Sequence, residues 1–324
     1  MAKREIKLVL LDAATYGDAS LVPLTNRWSC TVHQVTSPVE TLQRLAGNEV
    51  VVTNKVAIDG AMLSAAAQAL KLIAVAATGT DIIDKDAAAR QGIKVCNVPG
   101  YATQSVAQFT LALILELATR LGSYGKAVRG GAWQKSSVFT FLDFPSIELR
   151  GKTLGIIGYG NIGRAVAAMA QSIGMEIMIA ARPGSCETTP CGRVSLEDLF
   201  RRADVITLHC PLTPQTKCLI DRDSLALMKP SAFLINTARG ALIDETALIE
   251  ALRAKRLAAA ALDVISREPP PPDHPIIQAA SELENLLVTP HTAWSARESR
   301  QRLIMEVTDN IASFFEGKPK NLVY

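Results

Sequence analysis

An apolar run from Thr153 to Ile157 leads straight into Gly158-Tyr159-Gly160-Asn161-Ile162-Gly163, and a helical pattern opens at once behind it, from Ile162 to Ile173. The six residues fit G-x-G-x-x-G. Alone that is a weak signal, because glycines are common in turns and a plain strand–helix turn is the alternative. The context gives it weight. The first glycine permits a tight turn, the second lets a ligand's phosphates approach the backbone, and the third lets helix pack closely on strand. The helix N-terminus then offers N–H donors to an anion. Strand, turn and helix together predict a phosphate-binding turn of the dinucleotide kind, with Asn161 and Ile162 at the helix start.

Outward from that turn, short apolar runs alternate with helical patterns, the sign of βαβ units and parallel sheets. From Gly151 onward, strands are expected at Thr153–Ile157, Glu176–Ala180, Asp204–Leu208, Ala232–Asn236, Ala259–Asp263 and Leu286–Thr289. Ser195 ahead of Glu197-Asp198, and Asp244 ahead of Glu245, are helix-start signals between them. The earlier block has strand-like runs at Lys7–Leu11, Val50–Thr53, Leu72–Ala76 and Ile93–Asn97, with helical segments at Ala61–Ala69 and Asp84–Gln91. A long helix, Thr103 to Leu121, is apolar on several faces and is expected to be buried between layers or domains. In the tail, Ala296 to Phe315, residues Leu303, Ile304, Val307 and Ile311 recur at helical spacing. This helix is expected to pack back on the first block and make the first domain discontinuous. The expected class is α/β: two doubly wound parallel-sheet domains, one built from residues 1–101 and 293–324, the other from 102–292.

Composition narrows the function. Apolar residues make up 48% and charged residues 20% of the 324, an ordinary balance for a globular protein. The net charge of +3 comes with no Lys/Arg run longer than a pair, so a nucleic-acid partner is not expected. The apolar stretch Leu8–Leu11 stops at Asp12, too short for a signal-peptide core. The run Phe109–Leu115 is far short of the ~20 residues of a membrane span. Cys30, Cys96, Cys186, Cys191, Cys210 and Cys218 form no C-x-x-C pair, so no metal site is expected and a reducing cytoplasm is the default. A small molecule is the expected partner. The Tyr-x-x-x-Lys pair of short-chain dehydrogenases is absent, since none of the five tyrosines is followed by Lys four residues on.

Three polar residues sit where late strands end: Arg239 in Asn236-Thr237-Ala238-Arg239-Gly240, Glu268 after Leu262-Asp263-Val264-Ile265-Ser266-Arg267, and His291 after Val288-Thr289-Pro290. Rossmann sites form beyond the carboxyl ends of strands. Reducing a 2-keto acid needs a cation for the carboxylate and ketone, which Arg supplies as a planar fork. It needs a proton donor active near neutrality, which His supplies. It also needs a carboxylate to orient that donor and favour its charged form, the part for Glu. Singly each residue has a bland alternative: a surface charge, a solvated loop acid, a core histidine. Their joint placement points to catalysis. His33, His209 and His274 lack such company. His209 stands before Pro211 at a strand end and offers backbone near the cofactor, and His274 reads as structural.

The segments Thr153–Arg164, Leu208–Leu219, Asn236–Asp244, Ala261–Pro271 and Leu287–Trp294 closely resemble the D-isomer-specific 2-hydroxyacid dehydrogenase family, and the resemblance covers nearly the whole chain. Thr53–Val56, Val75–Thr80, Asn97–Tyr101 and Phe141–Pro145 look like its glycerate dehydrogenase (hydroxypyruvate reductase) branch. The resemblance implies a Rossmann-type cofactor domain, a flavodoxin-like substrate domain and a cleft between them. It places the family's catalytic Arg, Glu and His on Arg239, Glu268 and His291. It puts the substrate-carboxylate loop on Ala77, Thr78 and Gly79, beside Arg239 and His291; Asn54 and Lys55 are further substrate-side candidates, the alternative for Lys55 being a solvated loop lysine. It puts cofactor contacts on Thr103 and on Asp263, the latter as holder of the nicotinamide carboxamide; the Gly158–Gly163 turn, His209, Pro211, Thr216, Thr237, Ala238 and His291, with Ala181 and Arg182 after the second Rossmann strand, are further cofactor candidates. The implied activity is reduction of hydroxypyruvate and glyoxylate to D-glycerate and glycolate, or the reverse oxidation. The rival is a dinucleotide-sensing binding protein, since the same fold serves as a corepressor in some lineages. The lack of an added interaction tail favours the enzyme.

Two further expectations concern cofactor and assembly. NAD-using relatives carry an acid after the second Rossmann strand, where this chain has Ala181 followed by Arg182. Without that carboxylate a 2′-phosphate is not repelled, and Arg182, aided by Ser185, is placed to pair with it. NADP is therefore expected, with NAD also possible. A homodimer is expected around the Thr103–Leu121 helix and the aromatic segment Trp133, Phe139, Phe141 and Phe144.

Overall fold

In the computed structural model, residues 6–182 and 192–323 are described, and they divide into two units. The first holds Met1–Ala102 and Trp294–Tyr324, the second Thr103–Ala293.

The first unit carries five parallel strands: β1 (Lys7–Leu10), β2 (Ser29–Val32), β3 (Val50–Thr53), β4 (Leu72–Val75) and β5 (Lys94–Cys96). Their order, β2-β1-β3-β4-β5, is the flavodoxin-like one, which reverses direction between β1 and β3. The central strands β3 and β4 are buried on both faces, as runs of Val, Leu and Ile in a covered parallel sheet must be. Asp59 and Asp84 accept the backbone N–H groups of Met62 and Ala87, and so fix the starts of helices Gly60–Ala66 and Lys85–Arg90. The Arg297–Phe315 helix packs against β4, and Leu322 bridges to Cys96 on β5, so the tail completes this unit.

The second unit carries seven parallel strands: β6 (Thr153–Ile157), β7 (Glu176–Ala180), β8 (Arg193–Val194), β9 (Val205–Leu208), β10 (Phe233–Asn236), β11 (Ala259–Leu262) and β12 (Leu286–Val288). Their order, β12-β11-β10-β9-β6-β7-β8, is the Rossmann arrangement with its reversal between β6 and β9. Ser195 and Asp244 cap their helices through the N–H groups of Asp198 and Ala247. Beneath one sheet face, helix Thr103–Thr119 packs on helix Asn161–Ser172.

The structure differs from the sequence expectation at that long helix. It ends at Thr119, because Arg120 adopts a left-handed conformation at φ 56° and a second helix, Leu121–Arg129, starts beyond it. Glu116 accepts the Gly122 N–H at 3.1 Å and so secures the break. Val106, Ala107, Thr110, Leu113, Ile114, Leu117 and Ala118 are buried, so the apolar side of the helix is used inside its own unit. Of the helix's large apolar side chains Leu115 is exposed, and more exposed apolar surface lies further on, at Leu121, Trp133, Phe139 and Leu142. No single helix among the described residues is long and apolar enough to cross a membrane.

Candidate active site

Apart from Thr103, which opens the Thr103–Thr119 helix, the catalytic, substrate and cofactor candidates lie in segments that follow carboxyl ends of strands. In the second unit, Gly158 takes φ +99°, and a Cβ there would stand 2.4 Å from the Cys210 nitrogen. A Cβ on Gly163 would stand 2.2 Å from the Gly158 carbonyl oxygen. Both positions therefore exclude any side chain. At Gly160 a Cβ would meet nothing within 4 Å, so this side of the turn is open. Gly160 is also the N-cap of helix Asn161–Ser172 and supplies no side-chain acceptor. An open turn at an uncapped helix N-terminus fits the pyrophosphate of a dinucleotide. Asn161 Oδ1 is held by Arg164 at 2.8 Å.

The β9 exit flanks this turn. His209 donates its backbone N–H to the Ile157 carbonyl at 2.7 Å, and its Nε2 lies 3.0 Å from Thr207 Oγ1. Burial pushes the His209 imidazole down to about 3, so it is neutral at physiological pH and brings no charge to the turn. Buried Thr216 donates its hydroxyl to the Pro211 carbonyl and accepts the Thr213 N–H, both at 2.7 Å. That hydroxyl shapes the loop 211–216. After β7, Ala181 donates its N–H to Val194 at 2.7 Å, and Arg182 is exposed. Ser185, Cys186 and Cys191 lie outside the described residues; Cys30, Cys96, Cys210 and Cys218 are free thiols. Among the described residues, no group of three or more His, Cys, Asp or Glu could hold a metal ion.

The three polar residues are built on interlocking loops. Asn236, fully buried at the end of β10, accepts the Ala238 N–H at 3.0 Å and donates to the Arg239 carbonyl at 2.9 Å. Its one amide closes the turn that presents Arg239. Thr237 Oγ1 is tied to Thr110 Oγ1 at 3.0 Å, and Arg239 Nη1 donates to the Ala238 carbonyl at 2.8 Å. Next to it, Gly240 runs against the following loop: a Cβ there would stand 1.9 Å from the Ile265 carbonyl carbon. Glu268 accepts the Ile265 N–H on Oε1 at 2.9 Å, and its Oε2 lies 2.5 Å from His291 Nδ1. The two side chains are 32% and 27% exposed, so the pair is half-buried and open to a ligand.

His291 itself takes φ +54°, a conformation that few non-glycine residues adopt. Its N–H donates to the Asp263 carbonyl at 2.8 Å and the Thr289 carbonyl at 3.0 Å. The Asp263 carboxylate, 1% exposed, accepts Thr289 Oγ1 at 2.7 Å and the N–H groups of Thr292 and Ala293 at 2.9 Å. A buried anion thus gathers the whole segment 289–293 and holds His291 in its left-handed turn. The sequence assigned Asp263 only a cofactor contact; the structure adds this bracing. Asn236 and Gly240 were missed: Asn236 closes its own turn through Ala238 and Arg239, and Gly240 meets Ile265 and Ser266 of another loop.

In the first unit, Asn54 and Lys55 follow β3, and Ala77, Thr78 and Gly79 follow β4. Asp12, buried after β1, accepts the N–H groups of Asn54 and Lys55, the latter at 2.6 Å. Burial raises its carboxyl above the ordinary value, against the pull of those donors. Asn54 Nδ2 donates to Thr15 Oγ1 at 3.1 Å. The loop 77–79 is braced by β5's exit: Thr78 Oγ1 donates to the Val98 carbonyl at 3.0 Å and Asn97 Nδ2 to the Thr78 carbonyl at 2.7 Å.

Residues 111–293 match the family profile described as D-isomer specific 2-hydroxyacid dehydrogenase, NAD binding domain. The chain is 43% identical over 288 residues to a glycerate dehydrogenase of Methylorubrum extorquens, covering 89% of each protein. It is 37% identical over 325 residues to a hydroxypyruvate reductase of Blautia hydrogenotrophica, covering 98% of this chain and 99% of the relative. Among solved structures, the TT0316 protein of Thermus thermophilus superposes with a TM-score of 0.85 at 36% identity, over 98% of this chain and all of the other.

Proposed function

The chain belongs to the D-isomer specific 2-hydroxyacid dehydrogenase family, and we propose that its substrate is hydroxypyruvate, with glyoxylate as a second, reduced to D-glycerate and glycolate. It is an oxidoreductase that uses a nicotinamide dinucleotide. The relatives named above are enzymes, which does not favour the alternative of a dinucleotide-sensing binding protein. The observation that carries the reading is the Glu268–His291 pair at 2.5 Å, set beyond the carboxyl ends of β11 and β12.

In this reading the turn Gly158–Gly163 and the start of its helix hold the cofactor's pyrophosphate. Thr103, His209, Pro211, Thr216, Thr237, Ala238 and Asp263 are assigned to the rest of the cofactor. The bound, reduced nicotinamide supplies the hydride for the keto carbon. Arg239 pairs its guanidinium with the substrate carboxylate and the ketone oxygen. His291 passes a proton to that oxygen from Nε2, the ring nitrogen that Glu268 does not hold. Glu268 faces Nδ1 and stabilises the imidazolium before transfer. Asn54, Lys55, Ala77, Thr78 and Gly79 are assigned to the substrate on the family resemblance.

The test is a turnover panel of hydroxypyruvate, glyoxylate, pyruvate and phenylpyruvate with NADPH and with NADH, followed by loss of nicotinamide absorbance. Hydroxypyruvate is expected to give the highest kcat/KM. Preference for pyruvate or phenylpyruvate rejects the assignment.

The same panel carries the cofactor proposal, which is NADP. Ala181 stands at the end of β7 where a carboxylate would accept ribose hydroxyls, and exposed Arg182 follows it. Ala181→Asp is expected to weaken NADPH use and improve NADH use, and Arg182→Ala to raise KM for NADPH alone. A natural preference for NADH, or an equal effect of Arg182→Ala on both cofactors, refutes it.

A symmetric dimer is also proposed, on the exposed apolar surface of Leu121, Trp133, Phe139 and Leu142, of which Phe139 is 90% exposed. Beside it Tyr124, Phe141 and Phe144 stack edge to face, with centroids 5.1–6.2 Å apart. Light scattering at micromolar concentration is expected to give twice the chain mass; a stable monomer contradicts the proposal.

A further inference from the structure

Glu268 sits on an exposed stretch, residues 266–270, with four prolines, Pro269 to Pro272, immediately behind it. Such a segment needs tethers to hold a carboxylate 2.5 Å from a histidine on another loop. One tether is Glu268's own bond to the Ile265 N–H. The other comes from a residue to which the catalytic reading gives no part. Glu245, first residue of the Glu245–Arg253 helix, accepts the Ser266 N–H on Oε1 at 2.6 Å and the Ser266 hydroxyl on Oε2 at 2.8 Å. Its side chain is 13% exposed, and His274 Nε2 lies 3.7 Å from Oε2 on the far side. The helix N-terminus favours the charge, while the bidentate grip fixes both position and rotation of the backbone two residues before Glu268.

We propose that Glu245 is a positioning residue for the reaction: its carboxylate clamps Ser266 and thereby sets Glu268 against His291. The inference rests on the reading of Glu268 and His291 as the proton-donating pair. Glu245 touches neither ring nor substrate in this scheme and acts only through Glu268.

That indirect action makes a double-mutant cycle decisive. Glu245→Ala is expected to lower kcat by on the order of 10-fold to 10²-fold, with cofactor KM unchanged. Glu245→Gln is expected to stay within about twofold of the unaltered protein, since its carbonyl still accepts the N–H and its amino group donates to Ser266 Oγ. Glu245→Asp keeps the charge but withdraws it by one methylene, and is expected to fall as Ala does; it serves should the Ala variant not fold. In a Glu268→Gln background, Glu245→Ala and Glu245→Asp should cost nothing more in kcat. Multiplying losses, a Gln variant as poor as Ala, or unaltered kcat in both Ala and Asp, overturn the positioning role. If Glu268→Gln by itself leaves kcat unchanged, it is the proton-donor reading that fails.

Discussion

Replacing His291 with Ala is expected to lower kcat by ~10² to 10⁴, the usual contribution of a positioned general acid, while cofactor affinity stays near that of the unaltered protein. The ring and the backbone of His291 have different partners. The imidazole reaches Glu268 at 2.5 Å, whereas the backbone of the same residue is tied to the Asp263 and Thr289 carbonyls at 2.8 and 3.0 Å. An Ala at this place keeps both backbone bonds and loses only the ring. The side chain is 27% exposed, so its removal leaves no sealed cavity. The left-handed turn is held by Asp263, which the substitution does not touch. Steady-state kinetics, a fluorescence titration of reduced cofactor and a melting curve together check the prediction. Turnover like that of the unaltered enzyme would remove His291 from the mechanism.

The second large effect is expected from one methyl group. Gly240→Ala puts a Cβ 1.9 Å from the Ile265 carbonyl carbon, 2.1 Å from its oxygen and 2.4 Å from the Ser266 nitrogen. All three are backbone atoms, so no side chain can swing aside and the two loops must separate. Overpacking of this kind costs about 1–3 kcal/mol, occasionally more. The displaced loop carries Glu268, and the other carries Arg239. A shift of about 1 Å at reacting groups is enough for a loss of about 10² in rate. The variant is therefore expected to melt earlier and to lose kcat by about that factor. Gly160→Ala, where a Cβ meets no protein atom within 4 Å, is the contrast: its stability should hold, and any loss should fall on cofactor binding. Unchanged kcat in Gly240→Ala would mean that the close contact between these loops is not needed for catalysis.

These two cases mark what the sequence made legible. Arg239, Glu268 and His291 stand out as candidates because each follows a strand whose apolar run is plain, and the Gly158–Gly163 turn because its glycine spacing is tied to strand and helix on either side. β2 was missed because Ser29-Cys30-Thr31-Val32 is a half-exposed edge strand with little apolar content. β8 was missed because two residues, Arg193 and Val194, carry no period. The helix break at Arg120 has no proline to announce it; the left-handed residue and the Glu116 bond that secures it are set by context. Gly240 and Glu245 act across loops, on Ile265 and Ser266. Local spacing carries no trace of such pairings; only the parallel register of β10 and β11 brings them together.

The second unit interrupts the first: it begins at Thr103 and ends at Ala293, and Ser105 Oγ holds the Ala293 carbonyl at 2.7 Å, so its entrance and exit are fastened together. On the ribosome this inverts the order of completion. Residues up to Ala102 emerge first, yet their sheet waits for the Arg297–Phe315 helix that covers β4 and for Leu322, which bridges to β5. The interrupting unit is contiguous and is finished before either arrives. Domains fold as units during synthesis, so the nascent chain is expected to reach a protease-resistant 103–293 fragment while its own N-terminal strands are still unprotected. The earliest-made sheet is therefore the last to be covered.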